Sequence, residues 1–100
     1  MKDFPVLLEA YLDSPFSGTF LTFYENLEFE HKSSGVIRLF ETGTYLLDQD
    51  TINLSYRNLE KKIYKTEKII IDKKSNFLIY QNSKGIQDTR FRIMTNQLNN

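Results

Sequence analysis

The segment 41-ETGTYLLDQDTINLSYRN-58 predicts a β-hairpin. Apolar and polar residues alternate on both sides of the acidic tripeptide 48–50, and strict alternation is the pattern of a half-buried strand. Asp side chains hydrogen-bond the backbone of a turn and tolerate its dihedral angles, so we interpret the tripeptide as the turn. In the second strand, the residues predicted to face inward are Ile52, Leu54 and Tyr56.

The rest of the chain continues this rhythm. From Ser17-Gly18 onward, turn signals recur every eight to twelve residues, a spacing typical of all-β sandwiches and barrels. Nearly every connection has hairpin length, so successive strands should be antiparallel neighbours in a meander. We therefore predict a small closed or half-open barrel of about eight short strands. The predicted strands lie at 19–24, 27–32, 36–40, 43–47, 51–56, the end of 59–72, 77–81 and 89–94.

The N-terminal residues 1–16 predict a short helix. Asp3 can cap its first turn, and Ser14-Pro15 should end it, because the residue before a proline avoids the helical region. Apolar residues recur at helical spacing, namely Phe4, Leu7, Leu8, Tyr11 and Leu12. We expect one domain over residues 1–100, in which this helix plugs the meander of 18–94 and residues 95–100 form a polar tail.

Charge and composition exclude several classes of function. The formal net charge is zero, so no overall field attracts nucleic acid or a membrane. Residues 1–50 carry three basic and nine acidic side chains, whereas residues 51–100 carry ten basic and four acidic ones. No apolar run reaches the roughly 18 residues of a membrane span. We expect a cytoplasmic protein if the chain is complete, and a periplasmic or cell-surface one if a signal was removed.

No catalytic, metal-binding or cofactor motif is recognisable. The chain has no cysteine and a single histidine, His31, which we place near a strand end at the barrel rim. A zinc site or acid–base pair would need further ligands beside it. Asp48 begins an oxygen-rich run, but its sixth and twelfth positions, Asn53 and Leu59, lack the Gly and Glu of a calcium loop. We therefore predict no enzyme, no metal site and no cofactor.

Two groups of side chains are candidates for a binding surface. The first is a basic run with one aromatic residue, namely Lys61, Lys62, Tyr64, Lys65 and Lys68. Lysines defend the exposed edges of sheets, and we interpret the run chiefly in that way. The second group is Arg90 and Arg92, which could hold a carboxylate if they point inward. If Phe91 and Ile93 are core residues, both arginines face water, and we favour that reading.

Three segments resemble small lipocalin-like β-meander proteins of Bacteroidetes-type bacteria. They are GTFLTFYENLEFEHKSSG (18–35), TGTYLLDQDTINLSY (42–56) and the strand ending in TRFRIM (89–94). The resemblance covers roughly residues 18–94 and rests on structural motifs. It implies a lipocalin-like barrel and assigns no catalytic residue.

Size then limits the function. An eight-stranded barrel is just wide enough to be filled by side chains or to hold one small ligand. We favour a non-catalytic binding module whose partner is another protein, as in an inhibitor, an immunity-type protein or a complex subunit. The alternative is a lipocalin-like carrier of a small apolar ligand. The weakest hypothesis is a single-strand nucleic-acid binder acting through 61–74, because the pI of about 6.6 is far below that of dedicated binding domains.

Overall fold

A computed structural model of the chain describes residues 5–14, 17–35, 39–81 and 90–97. Each strand pairs antiparallel with the next in sequence, and the first strand pairs with the last, which closes a barrel. The prediction of an all-β antiparallel meander of eight strands is thus confirmed. The strands are β1 (Val6–Ser14), β2 (Ser17–Tyr24), β3 (Glu28–Gly35), β4 (Leu39–Asp48), β5 (Thr51–Arg57), β6 (Ile63–Asp72), β7 (Phe77–Gln81) and β8 (Arg90–Asn96).

The hairpin predicted from 41–58 is β4 and β5. Their register runs without interruption from Asp48 opposite Thr51 to Thr42 opposite Arg57. Gln49 takes the positive φ that the tight turn requires, 57°. Ile52, Leu54 and Tyr56 are buried in the core as predicted.

The predicted N-terminal helix is wrong where the structure describes it, since residues 6–14 form strand β1. The same residues also alternate, with Leu8 and Ala10 buried in the core and Glu9 and Tyr11 on the outer face. A short apolar segment fits either period, and pairing decides between them. β1 bonds to β2 on one side and to β8 on the other, and a helix would leave both strands without that partner. Residues 1–4 and 15–16 lie outside the described residues.

Three further boundaries differ from the prediction. The strands predicted at 36–40 and 43–47 are one strand over the part described, β4, because Gly43 continues the ladder to β3 and β5. Leu27, predicted as the first residue of a strand, lies in the β2–β3 turn with φ 70° and is half exposed. The polar tail predicted over 95–100 begins two residues too early, since Thr95 and Asn96 belong to β8 and pair with β1.

The barrel interior has an apolar end and a polar end. The β2–β3, β4–β5 and β6–β7 turns surround the apolar end, which is filled by side chains such as Phe23, Phe29 and Ile52. We call the opposite end, where β1, β3, β5 and β7 terminate, the mouth. Inward-facing polar residues gather towards it. No described residue lies in a helix of the length and apolarity that crossing a membrane requires.

Candidate functional site

Six inward-facing polar residues from five strands form what we call the mouth cluster. Sheet register explains their proximity, because His31 lies directly opposite Glu41 and Tyr56 directly opposite Lys65. Residues two apart on a strand share a face, so Glu67 follows Lys65 into the barrel. The members are His31 (β3), Glu41 (β4), Tyr56 (β5), Lys65 and Glu67 (β6), and Tyr80 (β7).

Hydrogen bonds join the imidazole of this cluster to two phenols. His31 Nδ1 lies 3.0 Å from the Tyr56 hydroxyl, which lies 3.3 Å from the Tyr80 hydroxyl. The His31 side chain is only 15% exposed, and burial lowers the pKa of His31 below its ordinary value despite the charges of Glu41 and Glu67. Burial likewise raises the pKa of both phenols. At neutral pH the imidazole is therefore uncharged and both phenols keep their protons.

Glu41 closes the mouth beside the end of β5. The Tyr64 hydroxyl donates to Glu41 Oε2 at 2.7 Å, and Lys65 Nζ lies 3.3 Å from Oε1. The same ammonium sits 4.2 Å from the centre of the Tyr56 ring, a favourable cation–π contact. Burial raises the pKa of Glu41, but the hydrogen bond from Tyr64 and the charge of Lys65 outweigh it and lower the pKa. Glu41 is thus held as a carboxylate that ties β4 to β6.

Glu67 differs from the rest of the mouth cluster because one of its carboxylate oxygens lacks a hydrogen bond. Its Oε1 is buried and has no hydrogen-bond partner among the described residues. The Glu67 side chain is also hydrogen-bonded to the phenols of Tyr56 and Tyr80, and these bonds and its charge add to the burial that raises the pKa of both. A buried acceptor without a donor costs roughly 1–3 kcal/mol. Over the described part of the chain, no three His, Cys, Asp or Glu side chains are placed to hold a metal ion.

A groove lies on the outer surface beside the mouth, and we call it the β4–β6 groove. Its volume is about 540 Å³. Three apolar side chains on its walls are strongly exposed: Phe40 at 64%, Leu59 at 100% and Tyr64 at 52%. The described residues that line it are Phe40, Glu41, Thr42, Arg57, Asn58, Leu59, Lys61 and Tyr64.

The β5–β6 connection that carries Leu59 is fixed by its own hydrogen bonds. Asn58 Oδ1 accepts from the backbone N–H groups of Glu60 and Lys62, at 2.9 Å and 3.0 Å. Arg57 Nη1 donates to the Lys61 carbonyl at 2.9 Å, and Lys61 takes a positive φ of 67°. These hydrogen bonds satisfy backbone groups of the loop, and they leave the Leu59 side chain exposed to water.

The structure divides the predicted basic run among several places. Lys61 and Tyr64 line the β4–β6 groove, whereas Lys65 belongs to the mouth cluster. Lys62 lies beside Glu60, and Lys68 is exposed on β6. The interpretation as guards of a sheet edge is wrong for Lys68, which pairs with Asn53 on β5 and with Gln81 on β7. Lys65 lies on the part of β6, 63–67, that pairs with β5 alone among the described residues, and for it the interpretation stays a prediction.

The prediction that Arg90 and Arg92 face water is confirmed. Phe91 and Ile93 are buried, and Arg90 and Arg92 are exposed on the outer face. Sequence reasoning missed Phe40, Arg57 and Leu59 as groove residues. A signal was present for one of them, since Leu59 follows Asn58 in a polar connection where no strand pattern would bury it.

Comparison with known proteins finds no relative of this chain. The chain matches no protein-family profile, and no curated protein or solved structure is significantly similar to it.

Proposed function

We propose that this protein is a small non-catalytic binding module whose partner is another protein, docked in the β4–β6 groove. The observation that carries the proposal is the exposure of Phe40, Leu59 and Tyr64 around one concave surface. Aromatic residues and arginine are enriched in the cores of protein interfaces. A pocket rimmed by such side chains is also where most of the binding energy concentrates.

The charges of the groove favour an acidic partner segment with an apolar side chain. Arg57 and Lys61 supply two positive charges. The one acidic residue of the lining, Glu41, is already paired with Lys65 and Tyr64. The surface offered to a partner is therefore cationic and apolar at once.

The fixed loop strengthens this reading. Ordering a loop on binding consumes part of the interaction energy, and a surface that is already ordered avoids that cost. The hydrogen bonds of Asn58 and Arg57 hold Leu59 in place before any partner arrives. Leu59 is fully exposed and contributes nothing to the core.

The relationship to lipocalin-like proteins of Bacteroidetes-type bacteria is also our proposal, supported by the number, order and closure of the strands. Within it, a binding module has more support than a ligand carrier, because the apolar end of the barrel is filled by side chains. The nucleic-acid alternative has less support than either, since the lysines of 61–74 do not share one surface: Lys61 lines the β4–β6 groove, Lys65 lies in the mouth cluster, and Lys73 lies in the β6–β7 turn at the opposite end.

The test compares three baits in co-purification from the native host. They are the unaltered protein, a Phe40→Ser/Leu59→Ser variant, and a Leu46→Ser control. Leu46 is as exposed as Phe40, at 66%, but lies outside the groove. We expect a protein that the unaltered bait and the control retain and that the double variant loses.

The retained protein is then purified and titrated against each bait by calorimetry. We expect the double variant to bind at least about tenfold more weakly, since truncating interface anchors costs more than ~1 kcal/mol each. Lys61→Gln should weaken binding mainly at low salt. Equal binding by the double variant, with an unchanged circular dichroism spectrum, would show that the groove is not the docking surface.

A further inference from the structure

A second groove lies where β7, β8 and β1 meet, away from the β4–β6 groove. Its volume is about 240 Å³, and its described lining is Tyr11, Leu12, Phe77, Arg90 and Arg92. Register places Arg92 directly opposite Phe77 on β7 and directly opposite Tyr11 on β1. Because directly paired residues point to the same side of a sheet, the Arg92 side chain leaves the outer face between those of Tyr11 and Phe77.

The two guanidinium groups are available to a ligand. Arg90 and Arg92 are exposed, and neither has a hydrogen bond or ion pair with another described residue. Two residues along a strand separate their Cα atoms by roughly 6–7 Å on one face. Asp72 lies within electrostatic range, since the charge of Arg90 helps hydrogen bonds from Ser75 and Lys74 to lower the pKa of Asp72.

The aromatic wall on β1 is held in place. The Tyr11 ring is centred 4.7 Å from the Phe20 ring on β2. It also lies over Gly18, where a Cβ would come within 2.7 Å of the ring. The groove thus has a defined wall and does not depend on the aromatic side chain finding a new position.

We propose that this groove binds a small organic oxyanion, that is, a carboxylate or phosphate attached to an apolar group about the size of one ring. Arginine presents a planar fork that matches carboxylate and phosphate oxygens, and the rings supply an apolar contact beside it. The volume falls below the roughly 300–1,000 Å³ of sites for larger ligands, which limits the apolar part to about one ring.

A long polyanion fits this surface less well. Nucleic-acid binding needs a basic groove that continues along the phosphate backbone. Two residues before Tyr11 on the same outer face of β1 stands Glu9, hydrogen-bonded to Thr22. The positive surface therefore ends beside the groove, which suits a single anionic group.

The experiment is a titration of ¹⁵N-labelled protein followed by NMR, with phenyl phosphate and benzoate as probes. Inorganic phosphate supplies the charge without the ring, and benzyl alcohol supplies the ring without the charge. We expect saturable shifts of the Tyr11, Phe77, Arg90 and Arg92 amides with the two ring-bearing anions. A short peptide ending in a free phenylalanine carboxylate, compared with benzoate, distinguishes a chain terminus from a free small molecule as the source.

Variants connect the shifts to the guanidinium groups. Arg92→Gln should weaken the binding of phenyl phosphate at least about tenfold, as expected when a charge-assisted pair is lost. Arg57→Gln, in the other groove, should leave it unchanged, and Asp72→Asn should strengthen it. Equal affinity for inorganic phosphate, or unchanged binding by Arg92→Gln with its fold intact by circular dichroism, would overturn the proposal. Neither result would bear on the protein partner proposed for the β4–β6 groove.

Discussion

At the scale of single residues, the mouth cluster departs most from what a barrel core normally contains. An eight-stranded barrel is usually filled by apolar side chains, yet here the mouth holds His31, Tyr56, Glu67 and their neighbours. Most of their polar atoms are satisfied within the cluster. Glu67 Oε1 is not, so this single atom should lower the stability of the fold.

Glu67→Gln should therefore raise the free energy of unfolding by roughly 1–2 kcal/mol, because a neutral amide costs less to bury than a carboxylate with one oxygen that lacks a donor. Urea unfolding at neutral pH measures the change. Glu9→Gln is the control, since Glu9 already accepts a hydrogen bond from Thr22. Its effect should stay within about 0.5 kcal/mol. A destabilised Glu67→Gln variant would mean that the carboxylate stabilises the cluster.

His31 should make the fold less stable in mildly acidic solution. Burial lowers its pKa below the ordinary 6.5, so below that pH the unfolded chain binds a proton that the folded chain does not. Stability should then fall by up to about 1 kcal/mol between about pH 7.5 and 5.5. The lowered pKa of Glu41 acts only below its ordinary value of 4.5, outside this range.

Urea midpoints at the two pH values test this effect, with His31→Gln as the control. The variant keeps a polar side chain near Tyr56 but cannot titrate, so its midpoint should change much less. An equal loss of stability in the variant would assign the pH dependence to other groups.

At the scale of elements, the β4–β5 hairpin depends on a glycine as well as on its turn. Gly43 faces inward between Phe29 on β3 and Tyr56 on β5. A Cβ there would overlap the Ser55 carbonyl oxygen and approach the Phe29 ring to 2.9 Å. Glycine is the residue that permits such a close approach of backbones.

Gly43→Ala should lower the free energy of unfolding by about 3 kcal/mol or more, since the backbone of β5 cannot move aside as a side chain can. Gly18→Ala is the matched control, because the atoms its Cβ meets belong to the outer end of the Tyr11 side chain, which can shift slightly where a backbone carbonyl cannot. We expect the control to cost about 1 kcal/mol. Similar midpoints for the two variants in urea unfolding would contradict this difference.

At the scale of the whole molecule, one strand pair closes the barrel. All other pairings join consecutive strands, whereas β1 and β8 come from opposite ends of the chain. The backbone N–H of Gln97 also donates to the Leu7 carbonyl at 2.6 Å. Closure removes the sheet edges, which would otherwise expose unpaired backbone groups.

A chain truncated after Thr89 should lose cooperative unfolding, because β1 and β7 lose their shared partner and Phe91 and Ile93 leave the core. Near-ultraviolet circular dichroism of the tyrosines during urea unfolding measures this loss. Met94→Ala, an exposed position on β8, controls for a general sensitivity of that strand. A sharp transition in the truncated chain would show that the remaining seven strands fold alone.

The sequence by itself determined the features that depend on neighbouring residues. Alternation and turn chemistry in 41–58 identify the hairpin, and the same alternation places Phe91 inside and Arg92 outside. Only the tertiary structure decided that residues 6–14 are a strand, because their apolar spacing fits two periods and the pairing with β2 and β8 selects one. Strand pairing also brings together His31 and Tyr56, 25 residues apart, and Phe40 and Leu59 in one groove. Such encounters follow from the register of successive strand pairs, and local spacing does not encode that register.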